Sequence, residues 1–386
     1  MCGISGYSGK RLATPILLDG LHALEYRGYD SAGVATVAGG RLHIRKCAGR
    51  LDQLRRLLAE QAVPGSCGIG HTRWATHGSP TLLNAHPHTN ADETIYVVHN
   101  GIIENYSELK SELQKKGYTF KSETDTEVVP HLIDYYYKKS DSFELAFKEA
   151  LGDLRGAYAI AAISSAEPDT LYAARLSSPL VVGVGENEYI LASDPTAIMA
   201  HTKKVIYLED FDVVILKRDS YEIHNLKADL KVEREAELLE FDTEQARLGD
   251  YPHFMLKEIH EAPATIRSAI LGRADPEKGI VKLGGLESVV QQLKYIDRIV
   301  IVACGTSYYA GLVGEYLIEE LAGIPVEVQL ASEFKYRDEP FSRSTALLAI
   351  SQSGETADTI AALKKVEDYG VLRLGIVNAV GSTIAR

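Results

Sequence analysis

The sequence predicts a multidomain chain in which a layered α+β part precedes a parallel α/β sheet. Residues 1 to about 225 are rich in short β-like runs separated by glycine, with a few helices grouped between them. That order is typical of stacked mixed layers rather than of a doubly wound sheet. From about Ile296 the order becomes strand, turn and helix, repeated, which indicates a parallel sheet. A chain of 386 residues is long enough for two or three domains.

In the first part, short apolar runs predict strands, and apolar residues spaced three to four apart predict helices. The predicted helices span 15–25, 104–116 and 127–138, and Thr14 with Pro15 resembles a helix start. The predicted strands span 31–37, 41–46, 95–99, 157–164, 170–174, 180–184 and 205–208. We expect this domain to cover residues 2–225.

The pattern of apolar and charged residues changes after residue 225. Residues 227–235 are charged and weakly patterned, and a helix-rich stretch follows at 254–271, so 226–285 is expected to be a linker and helical connection. In the domain expected at 286–386, the predicted strands are 298–304, 326–331, 346–351 and 372–378, and the helices are 308–321 and 357–369. The sequence predicts that this sheet is incomplete at Arg386.

Composition narrows the classes of function. The chain is 45% hydrophobic and 24% charged, which is typical of a soluble globular protein. It has no apolar run long enough for a membrane helix and no signal peptide, so we expect a cytoplasmic protein. The net charge of −12 argues against a nucleic-acid partner. None of the four cysteines forms a CxxC pair, which argues against a structural zinc site.

Cys2 has a special position. A small side chain at position 2 permits removal of Met1, which leaves Cys2 with both a thiol and a free α-amino group. A free α-amino group has a pKa of about 7.7 to 8 and can accept the thiol proton, so one residue supplies nucleophile and base. The alternative is an ordinary residue at a frayed terminus.

An acyl-transfer site also needs donors for an oxyanion. Asn100 and Gly101 follow the apolar strand 95–98 and can supply a side-chain amide and a backbone N–H. The alternative is a simple turn, because Asn-Gly is a common hairpin sequence.

An amino-acid substrate such as glutamine needs a cation for its carboxylate and an anion for its ammonium. The loop-like segment 71–78 carries Arg73, Trp74, Thr76 and His77, and the segment 122–127 supplies Asp125. The alternative for Asp125 is a helix N-cap.

Taken together, these segments resemble the family of glutamine–fructose-6-phosphate aminotransferases. The resemblance rests on Cys2-Gly3-Ile4, the motif EYRGYDSAG at 25–33, the loop 72–78, His99-Asn100-Gly101-Ile102 and the run 122–127. It implies an N-terminal-nucleophile (Ntn) glutaminase domain of layered αββα architecture, a class II glutamine amidotransferase. It also implies that Cys2 attacks the glutamine amide and that Asn100 and Gly101 form the oxyanion hole.

The same resemblance implies further roles. Arg73 would hold the α-carboxylate of L-glutamine and Asp125 its α-ammonium. Thr76 and His77 would line the glutamine site. Arg27 would order the N-terminal loop, and Trp74 would gate the passage of ammonia.

Two hydroxyl-rich turns in the second part indicate a phosphate site. Each follows a predicted parallel strand and precedes a helix, where open α/β sheets bind ligands and where helix N-termini suit anions. The alternative is helix capping by serine and threonine. The turns resemble the phosphate-binding signature of sugar-isomerase (SIS) domains, and the candidate residues are Thr306, Ser307, Ser351, Gln352, Ser353 and Thr356.

The resemblance implies an amino-sugar biosynthetic enzyme, a homodimer without a cofactor, that makes glucosamine 6-phosphate from glutamine and fructose 6-phosphate. Two departures qualify it. Ala262 stands where glutamine is expected, and the lysine and glutamate of the sugar chemistry have no counterpart. We therefore expect this chain, a fragment or a truncated product, to be limited to glutaminase activity and partial binding of the sugar phosphate.

Three other interpretations fit the sequence less well. A purine-forming or asparagine-forming amidotransferase would need a phosphoribosyl-diphosphate loop or a Ser-Gly-Gly pyrophosphate motif, and neither is visible. A sugar-phosphate sensor with an inert front domain would not need the glutamine-site residues. A metal site at His86-Pro87-His88 is not expected, because the neighbouring histidines lack fixed ligand spacing.

Overall fold

The computed structural model describes residues 2–25, 28–74, 78–239, 251–275, 277–379 and 382–386. The chain divides into two compact units, Met1–Thr243 and Glu244–Arg386. Each unit has its own sheets and its own apolar core.

The first unit contains two antiparallel sheets. Its strands in chain order are β1 (Gly3–Ser8), β2 (Ser31–Ala38), β3 (Arg41–Ala48), β4 (Cys67–Arg73), β5 (His88–Thr89), β6 (Ile95–Ile103), β7 (Gly156–Ser164), β8 (Leu171–Leu176), β9 (Val181–Gly185), β10 (Glu188–Ala192), β11 (Lys204–Tyr207), β12 (Asp212–Leu216), β13 (Tyr221–Asn225), β14 (Leu230–Val232) and β15 (Glu237–Leu238). The eight-stranded sheet has the order β15-β11-β9-β10-β1-β4-β2-β3, and the seven-stranded sheet has the order β14-β13-β12-β8-β7-β6-β5.

Helices cover the outer faces of both sheets. The helices are α1 (Ala13–Ala23), α2 (Leu51–Glu60), α3 (Tyr106–Lys115), α4 (Val128–Ser140) and α5 (Phe143–Asp153). One core joins α1 and α2 to the eight-stranded sheet, and another joins α3, α4 and α5 to the seven-stranded sheet. A third core lies between the two sheets. The layers are therefore helix, sheet, sheet, helix, and the predicted αββα architecture is confirmed.

Strand β6 shows why the sequence folds into these layers. Its side chains alternate between the two faces of the sheet, as in any strand. Ile95 and Val97 belong to the core against the helices, whereas Tyr96 and Val98 belong to the core between the sheets. Both faces are buried, so the strand reads as a continuous apolar run.

Most predicted elements of the first unit are present within a few residues, but α2 and α5 were not predicted. The capping role expected for Thr14 is wrong. Helix α1 begins at Ala13, and the Thr14 hydroxyl donates instead to the carbonyl of Val63. In the stretch assigned to the linker, β14 pairs with β13 and β15 pairs with β11 of the first unit.

The second unit contains a four-stranded parallel sheet, as predicted. Its elements are α6 (Phe254–Ile270), the small hairpin β16 (Ala274–Asp275) and β17 (Ile280–Val281), α7 (Val290–Leu293), β18 (Arg298–Ala303), α8 (Thr306–Ala322), β19 (Val326–Leu330), α9 (Ala331–Phe334), β20 (Thr345–Ser351), α10 (Ala357–Lys365) and β21 (Leu372–Val377). The strand order is β19-β18-β20-β21, so β19 pairs with one edge of β18 and β20 pairs with the other.

Among the helices of the described residues, none has both the length and the apolar character needed to span a membrane.

Candidate active site

Cys2 lies directly before β1, in the middle of the eight-stranded sheet. Strand β1 pairs with β10 on one side and with β4 on the other. Because β4 runs antiparallel to β1, its far end brings Trp74 beside Cys2. The backbone N–H of Trp74 donates to Cys2 Sγ over 3.2 Å, and Cys2 Sγ lies 3.5 Å from the Trp74 carbonyl oxygen. The thiol is half-buried and is held by main-chain groups.

The loop before β2 supports that contact. A Cβ atom on Gly28 would lie 2.8 Å from the carbonyl carbon of Arg73 and 2.9 Å from the nitrogen of Trp74. The N–H of Asp30 donates to the Arg73 carbonyl over 2.9 Å. The glycine of the 25–33 motif therefore allows one backbone to pack directly on another beside the thiol.

Asn100 and Gly101 lie inside β6, not in a turn at its end. They pair with Ala159 and Tyr158 of β7. Gly101 has φ 131°, and a Cβ atom there would lie 1.9 Å from the carbonyl oxygen of Ala157, so only glycine fits. The side-chain Nδ2 of Asn100 donates to the carbonyl of Cys2 over 3.2 Å. The alternative of a simple hairpin turn is therefore wrong.

Asp125 faces the same region and does not cap a helix. It is 5% exposed, and its Oδ2 accepts the backbone N–H of Ile103 at 2.8 Å. Helix α4 begins at Val128 without a side-chain cap. Glu127 accepts the backbone N–H groups of Lys121 and Ser122 instead, which holds the loop that carries Asp125. The capping interpretation of Asp125 is therefore wrong.

Arg73 ends β4 on the same side as Cys2. It is 3% exposed, and its guanidinium donates to the carbonyls of Ser79 and Gly78, each over 3.3 Å. Burial lowers the pKa of Arg73, and the nearby acidic groups of Cys2 and Asp125 act in the opposite direction. An arginine remains charged in proteins, so this region contains a fixed cation near a fixed carboxylate.

These residues line one partly open pocket. The structure brings together the predicted residues Cys2, Arg73, Trp74, Gly101 and Asp125 at its wall, and Asn100 contacts Cys2 directly. Four further lining residues were not predicted as site residues: His86, His99, Thr124 and Thr126. The predicted residues Arg27, Thr76 and His77 lie outside the described residues.

Buried histidines form the floor behind the cavity. His86 Nε2 and His99 Nδ1 each lie 3.0 Å from the hydroxyl of Thr126, and His88 Nε2 lies 3.0 Å from that of Thr124. The rings of His71 and His86 lie 4.2 Å apart. In the described part of the chain, no group of three or more His, Cys, Asp or Glu side chains could hold a metal ion.

Burial keeps these histidines neutral. It lowers the pKa of His71 to about 3 and that of His88 to about 3. It also lowers the pKa of His86 and of His99, although the nearby carboxylate of Asp125 opposes the shift at His99. The signal in the sequence was the recurrence of histidine at 71, 86, 88 and 99.

In the second unit, the two hydroxyl-rich turns lie at the carboxyl ends of neighbouring strands. One joins β18 to α8 and the other joins β20 to α10, and the chain reverses its direction of winding between these two strands. Open α/β sheets bind ligands in the crevice at such a point. The candidates Thr306, Ser307, Gln352 and Ser353 are exposed or half-buried there.

The hydroxyls of these turns do not cap the helices. The residues that precede the two helices, Gly305 and Thr356, make no side-chain capping bond. Ser351 Oγ instead accepts the N–H of Gly354 over 3.0 Å and lies 3.1 Å from Thr356 Oγ1. Thr356 therefore does not cap α10 with its side chain.

Family models match both parts of the chain. The model described as a glutamine amidotransferase domain matches residues 71–200, and the model described as a SIS domain matches residues 292–386.

Two solved structures have a similar fold. One is glutamine phosphoribosylpyrophosphate amidotransferase from B. subtilis, with a TM-score of 0.54 and 18% identity, covering 98% of this chain and 82% of that one. The other is described as the allosteric regulatory enzyme of purine biosynthesis, with a TM-score of 0.54 and 20% identity, covering 98% and 81%. At this identity the likeness shows the fold alone.

Curated relatives are more similar. The glutamine–fructose-6-phosphate aminotransferase (isomerizing) of Clostridium acetobutylicum is 50% identical over 386 residues, which is 100% of this chain and 63% of that protein. The protein of the same name from Thermus thermophilus is 48% identical over the same shares. The chain therefore spans 63% of the length of these relatives. Along its whole length, the chain is therefore similar to part of the glutamine–fructose-6-phosphate aminotransferases, and its two parts match a glutamine amidotransferase domain and a SIS domain.

Proposed function

We propose that the chain hydrolyses L-glutamine with Cys2 as the nucleophile and that the ammonia serves the amination of fructose 6-phosphate to glucosamine 6-phosphate. The observation that carries the first step is the single cavity that collects Cys2, Arg73, Gly101 and Asp125 from four separate segments.

The charges in the cavity match free glutamine. Its α-carboxylate pairs with the Arg73 guanidinium and its α-ammonium with the Asp125 carboxylate. The backbone N–H of Ile103 keeps Asp125 in place over 2.8 Å. Charge-assisted hydrogen bonds of this kind are roughly twice as strong as neutral ones, which favours a zwitterion over a neutral amide.

The chemistry follows from the groups around the thiol. After removal of Met1, the α-amino group of Cys2 takes the thiol proton, and Sγ attacks the side-chain amide carbon of glutamine. The N–H of Gly101 and Nδ2 of Asn100 stabilise the oxyanion. The α-ammonium group of Cys2 then gives its proton to the amide nitrogen of glutamine. The C–N bond breaks, and ammonia leaves. Water then cleaves the thioester to glutamate and regenerates the thiol.

The division of labour between the parts of the chain is part of the proposal. Residues 2–225 carry glutamine hydrolysis and residues 286–386 bind the sugar phosphate. Residues 226–285 connect the two parts, and their first strands, β14 and β15, pair with the sheets of the first unit. The hydroxyls of Thr306, Ser307, Ser351, Ser353 and Thr356, with the amide of Gln352, surround the phosphate at the N-termini of α8 and α10. The family resemblance also implies a homodimer, which sedimentation velocity tests.

Sugar-phosphate binding is tested by calorimetry with fructose 6-phosphate. Ser353→Ala and Thr306→Val are expected to weaken binding at least about tenfold, because each removes a hydrogen bond to a charged group. Ser342→Ala is the matched control. Ser342 lies outside the two hydroxyl-rich turns, and its hydroxyl bonds to that of Ser344. Equal affinity in all four proteins would contradict the assignment of this site.

A further inference from the structure

His71 contacts the residue that is proposed to stabilise the oxyanion. It lies on β4 opposite Ile4 of β1 and Gly33 of β2, and it is 1% exposed. Its Nε2 lies 3.0 Å from Asn100 Oδ1 and 3.0 Å from the carbonyl oxygen of His99. These bonds cross from the eight-stranded sheet to the seven-stranded sheet.

The partners of the ring settle which atom carries the proton. A carbonyl oxygen can only accept, so Nε2 of His71 must donate to His99 O and Asn100 Oδ1. Burial lowers the pKa of His71 to about 3, so the ring has a single proton near neutral pH. Within the described residues, Nδ1 of His71 has no hydrogen-bond partner. The neutral ring with its proton on Nε2 accounts for both observations.

The orientation of the Asn100 amide follows from its two ends. Its oxygen faces the Nε2–H of His71, and its nitrogen donates one N–H to the Cys2 carbonyl over 3.2 Å. If the amide rotated by half a turn, its oxygen would meet a carbonyl oxygen and its N–H₂ would meet an N–H. Both contacts are repulsive, so the observed orientation is strongly preferred.

We propose that His71 is a positioning residue that holds the Asn100 amide with its second N–H directed at the oxyanion. It does not touch the substrate and does not transfer a proton. The proposal rests on glutamine hydrolysis as proposed above. It predicts an effect on kcat without a matching effect on KM, because the amide acts on the charge that develops during the reaction.

Substitutions at His71 separate this role from a packing role. His71→Gln keeps an N–H at the end of a side chain long enough to reach Asn100. His71→Asn is polar but one methylene shorter, and His71→Leu fills the space without a donor. The measurement is glutamate release against glutamine concentration, with thermal unfolding of each variant as the check on folding. His201→Leu is the control, because His201 contacts Arg11 and Asp19 rather than Asn100.

We expect His71→Leu and His71→Asn to lower kcat about 10- to 100-fold with KM within about threefold, since loss of one oxyanion donor costs about 10²- to 10³-fold. His71→Gln should recover most of the loss. In a protein that also carries Asn100→Ala, His71→Asn should lower kcat less than about threefold further, because the amide it holds is gone.

Two results would overturn the role of His71. The first is an equal loss of kcat in the Gln and Asn variants, and the second is a loss that adds fully to that of Asn100→Ala. A wild-type chain without Met1 that releases no glutamate would overturn the proposed function, and the role of His71 with it. A working wild type therefore tests His71 alone.

Discussion

Trp74 holds Cys2 through its backbone, not through its side chain. The N–H of Trp74 donates to Cys2 Sγ over 3.2 Å, while the indole is 43% exposed and meets Tyr29 edge-on at 5.4 Å. The environment of the thiol therefore depends on where the main chain lies and less on which side chain follows Arg73.

This relationship predicts opposite outcomes for two substitutions. Trp74→Ala retains the N–H, so kcat for glutamate release should stay within about fivefold of the wild type. Gly28→Ala places a methyl group 2.8 Å from the Arg73 carbonyl carbon and must displace that main chain, so kcat should fall at least about tenfold. Steady-state assays of both variants check this. Equal effects of the two would show that the backbone contact does not matter.

Asp125→Asn tests the site for the α-ammonium. The asparagine oxygen can still accept the N–H of Ile103, so the loop should remain in place. Loss of the charge should raise KM for glutamine about 10- to 100-fold, because a hydrogen bond to a charged group contributes about 1.5 to 3 kcal/mol. The effect on kcat should be small.

Asp134→Asn is the matched control for that prediction. Asp134 is also buried, but it bonds to Tyr118, Asn90 and Lys138. Its substitution should change stability and leave KM unaltered. If KM rose equally in both variants, Asp125 would not be the specific partner of the ammonium.

Arg234 ties the segment after residue 225 to the first unit. It pairs with Asp212 through two bonds of 2.9 Å, and Asp212 is fully buried. Arg234→Met should lower the free energy of unfolding by about 3 kcal/mol, because it leaves a buried carboxylate without its cation. Urea titration followed by the fluorescence of Trp74, the only tryptophan, measures this.

Lys231→Met is the control, because the pair of Lys231 with Glu222 lies in the same unit and is largely exposed. It should change the free energy of unfolding by less than about 0.5 kcal/mol. An effect of Arg234→Met no larger than this would mean that residues 226–239 are dispensable for the first unit.

His88 predicts an acid-sensitive fold. Burial, the largest cause, and the positive charge of Lys46 lower its pKa from 6.5 to about 3. Between these values the unfolded chain binds a proton that the folded chain does not, so stability falls as the pH falls. The loss for one such histidine approaches about 1.4 kcal/mol per pH unit, starting near pH 6.5.

His88→Gln removes the group that binds this proton in the unfolded chain. The free energy of unfolding, measured by urea titration at several pH values between 4.5 and 6.5, should fall less steeply with acid than in the wild type. The difference in slope should approach about 1.4 kcal/mol per pH unit. His43→Gln, a half-buried histidine on β3, serves as the comparison. An unchanged slope in His88→Gln would contradict a neutral, buried His88.

Local patterns predicted much of this molecule. The parallel sheet followed from apolar runs that alternate with helical spacing, and its four strands lie within one or two residues of the prediction. Cys2, Arg73, Asn100 and Asp125 followed from the needs of acyl transfer and of a zwitterionic substrate. Helix α2 was missed although Leu51, Leu54 and Leu58, all buried, have helical spacing.

The remaining features depend on tertiary packing. Whether Asn-Gly forms a turn or stays in a strand was decided by β7, which pairs along β6 as far as Ile103. The contact of His71 with Asn100 joins residues on different sheets, and only the packing of the sheets brings them together. Asp125 accepts the backbone N–H of Ile103 on β6 instead of capping α4, and only tertiary packing brings these two residues together.

The most direct test of the central claim is glutamate release from L-glutamine by the chain without Met1, measured beside Cys2→Ala. The account predicts release by the wild type, loss of at least about 10³-fold in Cys2→Ala, and intact folding of that variant by Trp74 fluorescence. Release that persists in Cys2→Ala would contradict the account, because the nucleophile would then lie elsewhere.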